Sequence, residues 1–202
     1  MLLVLHSFKV SAAVTIKLLV MSKRKERKSP RLKEYDYSNG GYYFVTICTH
    51  NMRSWLGIVS DEKMHLNKFG EIVKDCWLDL PKHYKNCELD EFIIVPNHFH
   101  GIIIIDNSLL IPKYSRRGGS EILPYNDKHI KKYSMTEIVR GFKSFSSRRI
   151  NESAVNSKFK WQRSFYERII RNEIEYYKIK KYIVYNPLKW DLDKNSPGNI
   201  EF

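Results

Sequence analysis

His98 and His100, one residue apart at the head of the run Gly101-Ile102-Ile103-Ile104-Ile105, are well placed by type and spacing to hold a metal ion. Side chains on a strand alternate between faces, so histidines at i and i+2 emerge together, and two imidazoles on a rigid strand suit a divalent cation. The ordinary alternative is a pair of hydrogen-bonded core histidines, and so short a motif does not decide between them. Tyr182 and Asn186 form a second cluster. Four residues apart, they share a helix face provided the last turn before Pro187 stays regular. A phenol is a nucleophile with an ordinary pKa of about 10, so it needs a base, or a metal that polarises the group under attack. The amide oxygen of Asn186 would offer a further metal ligand. The chain has 13 tyrosines, so packing is the ordinary role for any one of them, and Tyr176, Tyr177 and Tyr185 are close rivals.

The elements that must position these groups can be read from periodicity. Residues 98–105 form an apolar, β-branched run typical of a strand buried on both faces. Residues 91–95 are a similar run, and Pro96-Asn97 between them reads as the turn of a hairpin. Residues 42–49 follow the turn signal Asn39-Gly40-Gly41 and read as a first strand. Leu66, Phe69, Ile72, Val73, Cys76, Trp77 and Leu80 recur at helical spacing, which predicts a helix over residues 66–80 ahead of Pro81. Ser134-Met135-Thr136-Glu137 has capping-box spacing and opens a second helix to about Ile150. Its apolar side is Met135, Ile138, Val139, Phe142 and Phe145, and its other side carries Arg140, Lys143, Arg148 and Arg149. Residues 159–170 alternate like a strand, and Asn172-Glu173-Ile174-Glu175 caps a third helix that ends before Pro187. This order suggests an α+β fold, a ferredoxin-like antiparallel sheet with helices packed on one face, a layout used by many nucleic-acid binders.

Composition agrees with such a partner. The formal net charge is +13, the excess of Lys and Arg that a polyanion would attract, and aromatics reach 13%, a combination suited to unstacked single strands. The basic face of the second helix is read either as solvated surface or as a phosphate contact. Cys48, Cys76 and Cys87 include no C-x-x-C pair, which argues against a disulfide framework or zinc knuckle and for a reducing cytoplasm. Cys76 falls on an apolar helix face and is read as packed there. Residues 1–20 are apolar but contain Lys9 and Lys17, too charged for a membrane span and without the basic leader of a signal peptide. The expected start of the protein proper is Met21, followed by a basic arm over residues 21–41. The main domain is expected over residues 42–190, interrupted by a long surface loop at 106–133, with a tail at 191–202.

Taken together and in order, Val95-Pro96-Asn97-His98-Phe99-His100-Gly101, Trp161-Gln162-Arg163-Ser164-Phe165-Tyr166-Glu167, Ile170-Arg171-Asn172-Glu173 and Tyr182-Ile183-Val184-Tyr185-Asn186-Pro187 resemble the single-tyrosine HUH transposases. The similarity is closest to the REP-associated tyrosine transposases, and matching segments run from about Arg27 to Trp190. The resemblance implies an HUH nuclease domain in which His98, His100 and Asn186 hold Mg²⁺ or Mn²⁺. It implies that Tyr182 attacks the scissile phosphate, leaving a 5′-phosphotyrosine and a free 3′-hydroxyl. The implied partner is single-stranded DNA with a hairpin or palindromic repeat, bound by a monomer or homodimer. Arg140, Lys143, Arg148, Arg149, Arg163, Arg168 and the arm residues 23–28 are the candidate DNA contacts by charge and position. No G-x-x-x-x-G-K-[ST] run is present, so no nucleotide cofactor is expected. Two departures stand out: the apolar extension before Met21, and a loop after the histidine strand longer than in compact members.

Three other readings remain at this level. One is a domesticated, sequence-specific DNA-binding protein without cleavage activity. Another is a metal-dependent hydrolase using the histidines alone, although Ile102 occupies the position where a third alternating histidine would fall. The last is an RNA-binding module indifferent to metal.

Overall fold

In chain order the elements are β1 (Gly41–Cys48), β2 (Gly57–Ser60), β3 (Lys63–Leu66), α1 (Lys68–Leu78), α2 (Leu80–His83), β4 (Cys87–Val95), β5 (His98–Ile105), α3 (Met135–Ser153), β6 (Tyr166–Ile170) and α4 (Glu173–Tyr185). They come from a computed structural model that describes residues 32, 34–110, 131–154 and 156–187. The apolar extension, the arm residues 23–28, loop residues 111–130 and the tail lie outside the described residues. Among the described residues no helix is long and apolar enough to cross a membrane.

Four strands pair antiparallel in the order β4-β5-β1-β6, and β2-β3 form a separate hairpin. The inner strands β1 and β5 are the most apolar, because a strand flanked by neighbours and covered on both faces has no solvent side. Their register joins Thr46 to His100, Phe44 to Ile102 and Cys48 to His98. Val95 pairs with His98, so Pro96-Asn97 is the tight turn expected.

Alternation along these strands divides the apolar residues into two cores. Tyr43, Val45, Ile47, Phe99, Ile103 and Ile105 point to one face, where Val73, Trp77, Ile138, Val139 and Phe142 of α1 and α3 cover them. Phe44 and Ile102 point to the other face with Ile170, Ile179 and Ile183, and Tyr176 and Tyr182 pack against that cluster. The ferredoxin-like sheet thus carries α1 and α3 on one face, as expected. The last helix, α4, instead covers the opposite face, which is the face His98 and His100 share.

Helix boundaries follow their caps. Ser134 and Glu137 make the reciprocal capping box predicted for α3, and the Asn172 side chain accepts from the Glu175 amide at the start of α4. Asn67 accepts from the amides of Phe69 and Gly70, so α1 begins at Lys68 and not at Leu66. Leu66 closes β3, and the apolar series continues beyond Leu78 only after a break at Asp79. The β2-β3 hairpin is absent from the sequence reading because its turn is Asp61-Glu62, both at positive φ (50° and 59°), and lacks the glycine that usually announces such a turn. The strand expected over residues 159–170 is also shorter. Thr49 and Trp161 form an isolated bridge, and a strand begins only at Tyr166. Between them the carbonyls of Gln162 and Arg163 accept from Lys143 Nζ, at 2.8 and 2.9 Å, and have no ladder partner. Phe145 departs in the same way. It is 36% exposed and lies against Arg148, whose guanidinium carbon is 5.0 Å from the ring centre.

Gly101 shows how the large core supports the histidines. It points away from them, and a Cβ there would come within 2.6 Å of the Trp77 ring and 2.8 Å of the Phe99 ring. Both rings are fully buried, so neither can swing aside. Gly101→Ala is therefore expected to destabilise the protein by about 1–3 kcal/mol, the usual range for overpacking a core. Urea denaturation would measure it, and an unchanged midpoint would show that the rings can give way.

Candidate active site

β5 delivers His98 and His100 to the same face, both with no solvent exposure. Their Nε2 atoms are 2.9 Å apart. The Tyr182 hydroxyl reaches His100 Nε2 at 3.2 Å, and its ring stands edge-on to that imidazole with centroids 5.1 Å apart. Phe44 stacks on His100, with 5.4 Å between centroids and 19° between planes, and makes an edge contact with Tyr182. The aromatic packing leaves both rings little freedom to turn. Of the rival tyrosines, Tyr177 and Tyr185 are largely exposed, and Tyr176 is engaged elsewhere.

Each imidazole is held from behind through Nδ1. Asn97 Oδ1 lies 2.7 Å from His98 Nδ1, and the same amide donates through Nδ2 to the Met52 carbonyl at 3.2 Å. Thr46 Oγ1, also buried, lies 2.8 Å from His100 Nδ1. Burial holds the imidazoles neutral: it pushes His98 down to about 4, and His100, which also feels His98, well below the ordinary histidine value. Neutral imidazoles with converging Nε2 atoms fit a divalent first-row cation. Among the described residues no group of three or more His, Cys, Asp and Glu side chains gathers, so further ligands would be amide, water or substrate oxygen.

Asn186 is fully buried and helical (φ −58°, ψ −42°), and its amide N–H donates to the Ile183 carbonyl. That bond reaches back three residues instead of four, so the last turn tightens towards 3₁₀ before Pro187, while Asn186 keeps helical dihedrals and lies one turn beyond Tyr182 on the same side of α4.

A polar clamp fixes the helix that carries the phenol. A register shift between Leu89 and Phe92 interrupts β4, and such bulges re-aim side chains. Asp90 there accepts from the Tyr176 hydroxyl and, at 3.0 Å, from Lys180 Nζ, which also lies 3.6 Å from Glu91. The sequence shows Tyr176 only as a rival nucleophile and gives no sign of its clamp with Lys180 and Asp90, because the contacts span 86 to 90 residues. Thr46 was missed for the same reason, since only the β1-β5 register brings it to His100.

The six cationic candidates do not gather round this site. Arg140, Lys143, Arg148 and Arg149 belong to α3, across the sheet from the histidines. Arg149 donates to Cys76 Sγ at 3.6 Å, and Lys143 caps the carbonyls described above. Arg163 is exposed in the segment before β6. Arg168, paired across the strands with Phe44, lies on the histidine face in an ion pair with Glu175.

No family model matches the chain. It is 36% identical over 180 residues to an uncharacterised protein of Haemophilus influenzae, covering 83% of this chain and 92% of that protein. Its architecture is similar to the solved structure of a REP-associated tyrosine transposase bound to a REP hairpin, with a TM-score of 0.53 and 20% identity over 81% of this chain and 74% of the other.

Proposed function

This chain belongs to the same family as the Haemophilus influenzae protein and has the fold of the REP-associated tyrosine transposase, and from that premise we propose that it cuts and rejoins single-stranded DNA through a phosphotyrosine on Tyr182. The observation that carries the reading is the 3.2 Å approach of the Tyr182 hydroxyl to His100 Nε2, beside the second imidazole. A helix and a central strand, both rigid, present nucleophile and ligands to one point, and such fixed placement is what in-line displacement at phosphorus requires.

The phenolic oxygen forms a bond to phosphorus as the bond to the 3′-oxygen breaks, and the departing 3′-oxygen carries away the proton that the phenol gives up. A 5′-phosphotyrosine and a 3′-hydroxyl result. Attack by another 3′-hydroxyl reverses the step, so rejoining needs no nucleotide cofactor. Mg²⁺ or Mn²⁺ held by His98, His100 and Asn186 would neutralise charge on a non-bridging phosphate oxygen, and two nitrogen ligands favour Mn²⁺. Phenol and imidazoles come from one chain, so this reading needs no second copy for cleavage. The net charge of +13 suits a DNA partner, and the hairpin bound by the similar structure makes a hairpin-flanked strand the substrate of choice.

The test is a labelled hairpin oligonucleotide with single-stranded flanks, incubated with Mn²⁺, Mg²⁺ or EDTA and resolved under denaturing conditions. A cation-dependent covalent protein–DNA band is expected. Binding without that band would favour a DNA-binding protein that does not cut, and free 5′-phosphate ends would favour a hydrolase.

A further inference from the structure

The two histidines are held by partners of different chemical kinds, and the difference has a consequence. Asn97 can face His98 in one way only. Its Nδ2 donates to the Met52 carbonyl, so the atom 2.7 Å from His98 Nδ1 is the amide oxygen, a pure acceptor. His98 Nδ1 must then carry the proton, and its Nε2 presents a lone pair. His100 Nε2 stands 2.9 Å from that lone pair. With both rings neutral, two lone pairs at this separation would repel, so without a cation the proton of His100 sits on Nε2 and donates to His98, with the Tyr182 oxygen at 3.2 Å as a second, weaker acceptor. His100 Nδ1 is then an acceptor, and Thr46 Oγ1 at 2.8 Å donates to it. A hydroxyl, unlike an amide oxygen, can also accept.

We infer that Asn97 and Thr46 are positioning residues with divided roles: Asn97 locks His98 in one tautomer, while Thr46 lets His100 exchange its Nε2 proton for one on Nδ1 and so frees both Nε2 lone pairs for a divalent cation. Solvent water takes the proton that leaves Nε2 and supplies the one taken up at Nδ1, so neither the charge of the ring nor that of the protein changes. The Thr46 hydroxyl rotates from donor to acceptor. This inference rests on the metal reading proposed above and adds the residues that make the pair selectable for cation or no cation. A valine at position 46 would keep the β-branched shape but give Nδ1–H nowhere to donate. A serine would keep the hydroxyl.

The experiment uses the full chain without DNA. Mn²⁺ affinity is measured by electron paramagnetic resonance for wild type, Thr46→Val and Thr46→Ser, with thermal melting as the check on folding. Thr46→Val is expected to bind Mn²⁺ about 10–100-fold more weakly, as loss of a ligand-orienting partner usually does, and Thr46→Ser to bind near wild type. Nitrogen-15 spectra of the imidazoles in EDTA should show His98 as the Nδ1–H tautomer and His100 as the Nε2–H tautomer in wild type, and a tautomer mixture at His98 in Asn97→Ala. A folded Thr46→Val protein with wild-type affinity overturns the role of Thr46, as does an Nδ1–H tautomer at His100 without cation. A pure Nδ1–H tautomer at His98 in Asn97→Ala overturns the role of Asn97. Wild type that binds no Mn²⁺ overturns the metal reading and the inference with it.

Discussion

Tyr182→Phe should abolish the covalent protein–DNA adduct while leaving the protein folded and able to bind its hairpin. The substitution removes one oxygen. The ring keeps its contacts with His100 and Phe44, and the lost hydrogen bond to His100 is worth only about 1 kcal/mol of stability. Losing a covalent nucleophile is far more severe, roughly 10⁴–10⁶-fold in rate for groups that act as a unit. Tyr185→Phe is the matching control, because Tyr185 lies on the same helix, is 46% exposed and leaves the site untouched. Tyr176→Phe is a harder control. It breaks the clamp to Asp90, so adduct should still form, only more slowly as α4 loosens. Gel shift and denaturing gel run in parallel separate binding from chemistry. An undiminished adduct from Tyr182→Phe would move the nucleophile to another tyrosine and remove the ground for the proposed reaction.

The chemistry was more legible in the sequence than the geometry that carries it. His98 and His100 could be placed on one face from spacing alone, because strand alternation is a local rule, and the capping signals of Ser134 and Asn172 fixed two helix starts by equally local means. The side of the sheet taken by α4 is a different kind of fact. It depends on Ile179 and Ile183 meeting Ile102 and Phe44, contacts separated by dozens of residues, and a short helix with apolar groups on one stripe can pack against either face. Thr46 and Asp90 were illegible for the same reason: each acts through a partner that only the strand register or a bulge brings near. The basic residues of α3 are the converse case. Charge on a helix face is visible in sequence, but its distance from the chemistry is set by the layer it belongs to, and α3 lies on the far layer. Any DNA contact by Arg140 or Arg148 would therefore involve the strand or hairpin away from the scissile phosphate.

Acidification should begin to destabilise the cation-free protein above the pH range in which its carboxylates titrate, and the cause lies in the same histidine pair. In the unfolded chain His98 takes a proton at about its ordinary value of 6.5. Folded, burial pushes it down to about 4. Well above pH 6.5 neither state binds that proton and the full stability is present. As pH falls from 6.5 towards 4 the unfolded chain gains a proton that the folded chain refuses, so stability declines with falling pH. The full difference for His98 alone is on the order of 3 kcal/mol, a large share of the 5–15 kcal/mol typical of a domain, and His100 acts with the same sign because its imidazole is also held well below the ordinary value. Urea denaturation in EDTA at pH 7.5, 6, 5 and 4.5 would measure the decline, and His98→Gln should make it shallower, since glutamine does not titrate and only the His100 share remains. Saturating Mn²⁺ at pH 7.5 should raise the unfolding free energy by about 2.7 kcal/mol at a hundred times the dissociation constant, and the urea midpoint with it. A wild-type profile that stays level between pH 7 and 5 would mean that water or a counter-charge reaches the imidazoles. They would then be neither the dry, neutral pair described nor ligands that depend on Thr46 and Asn97 for their tautomers.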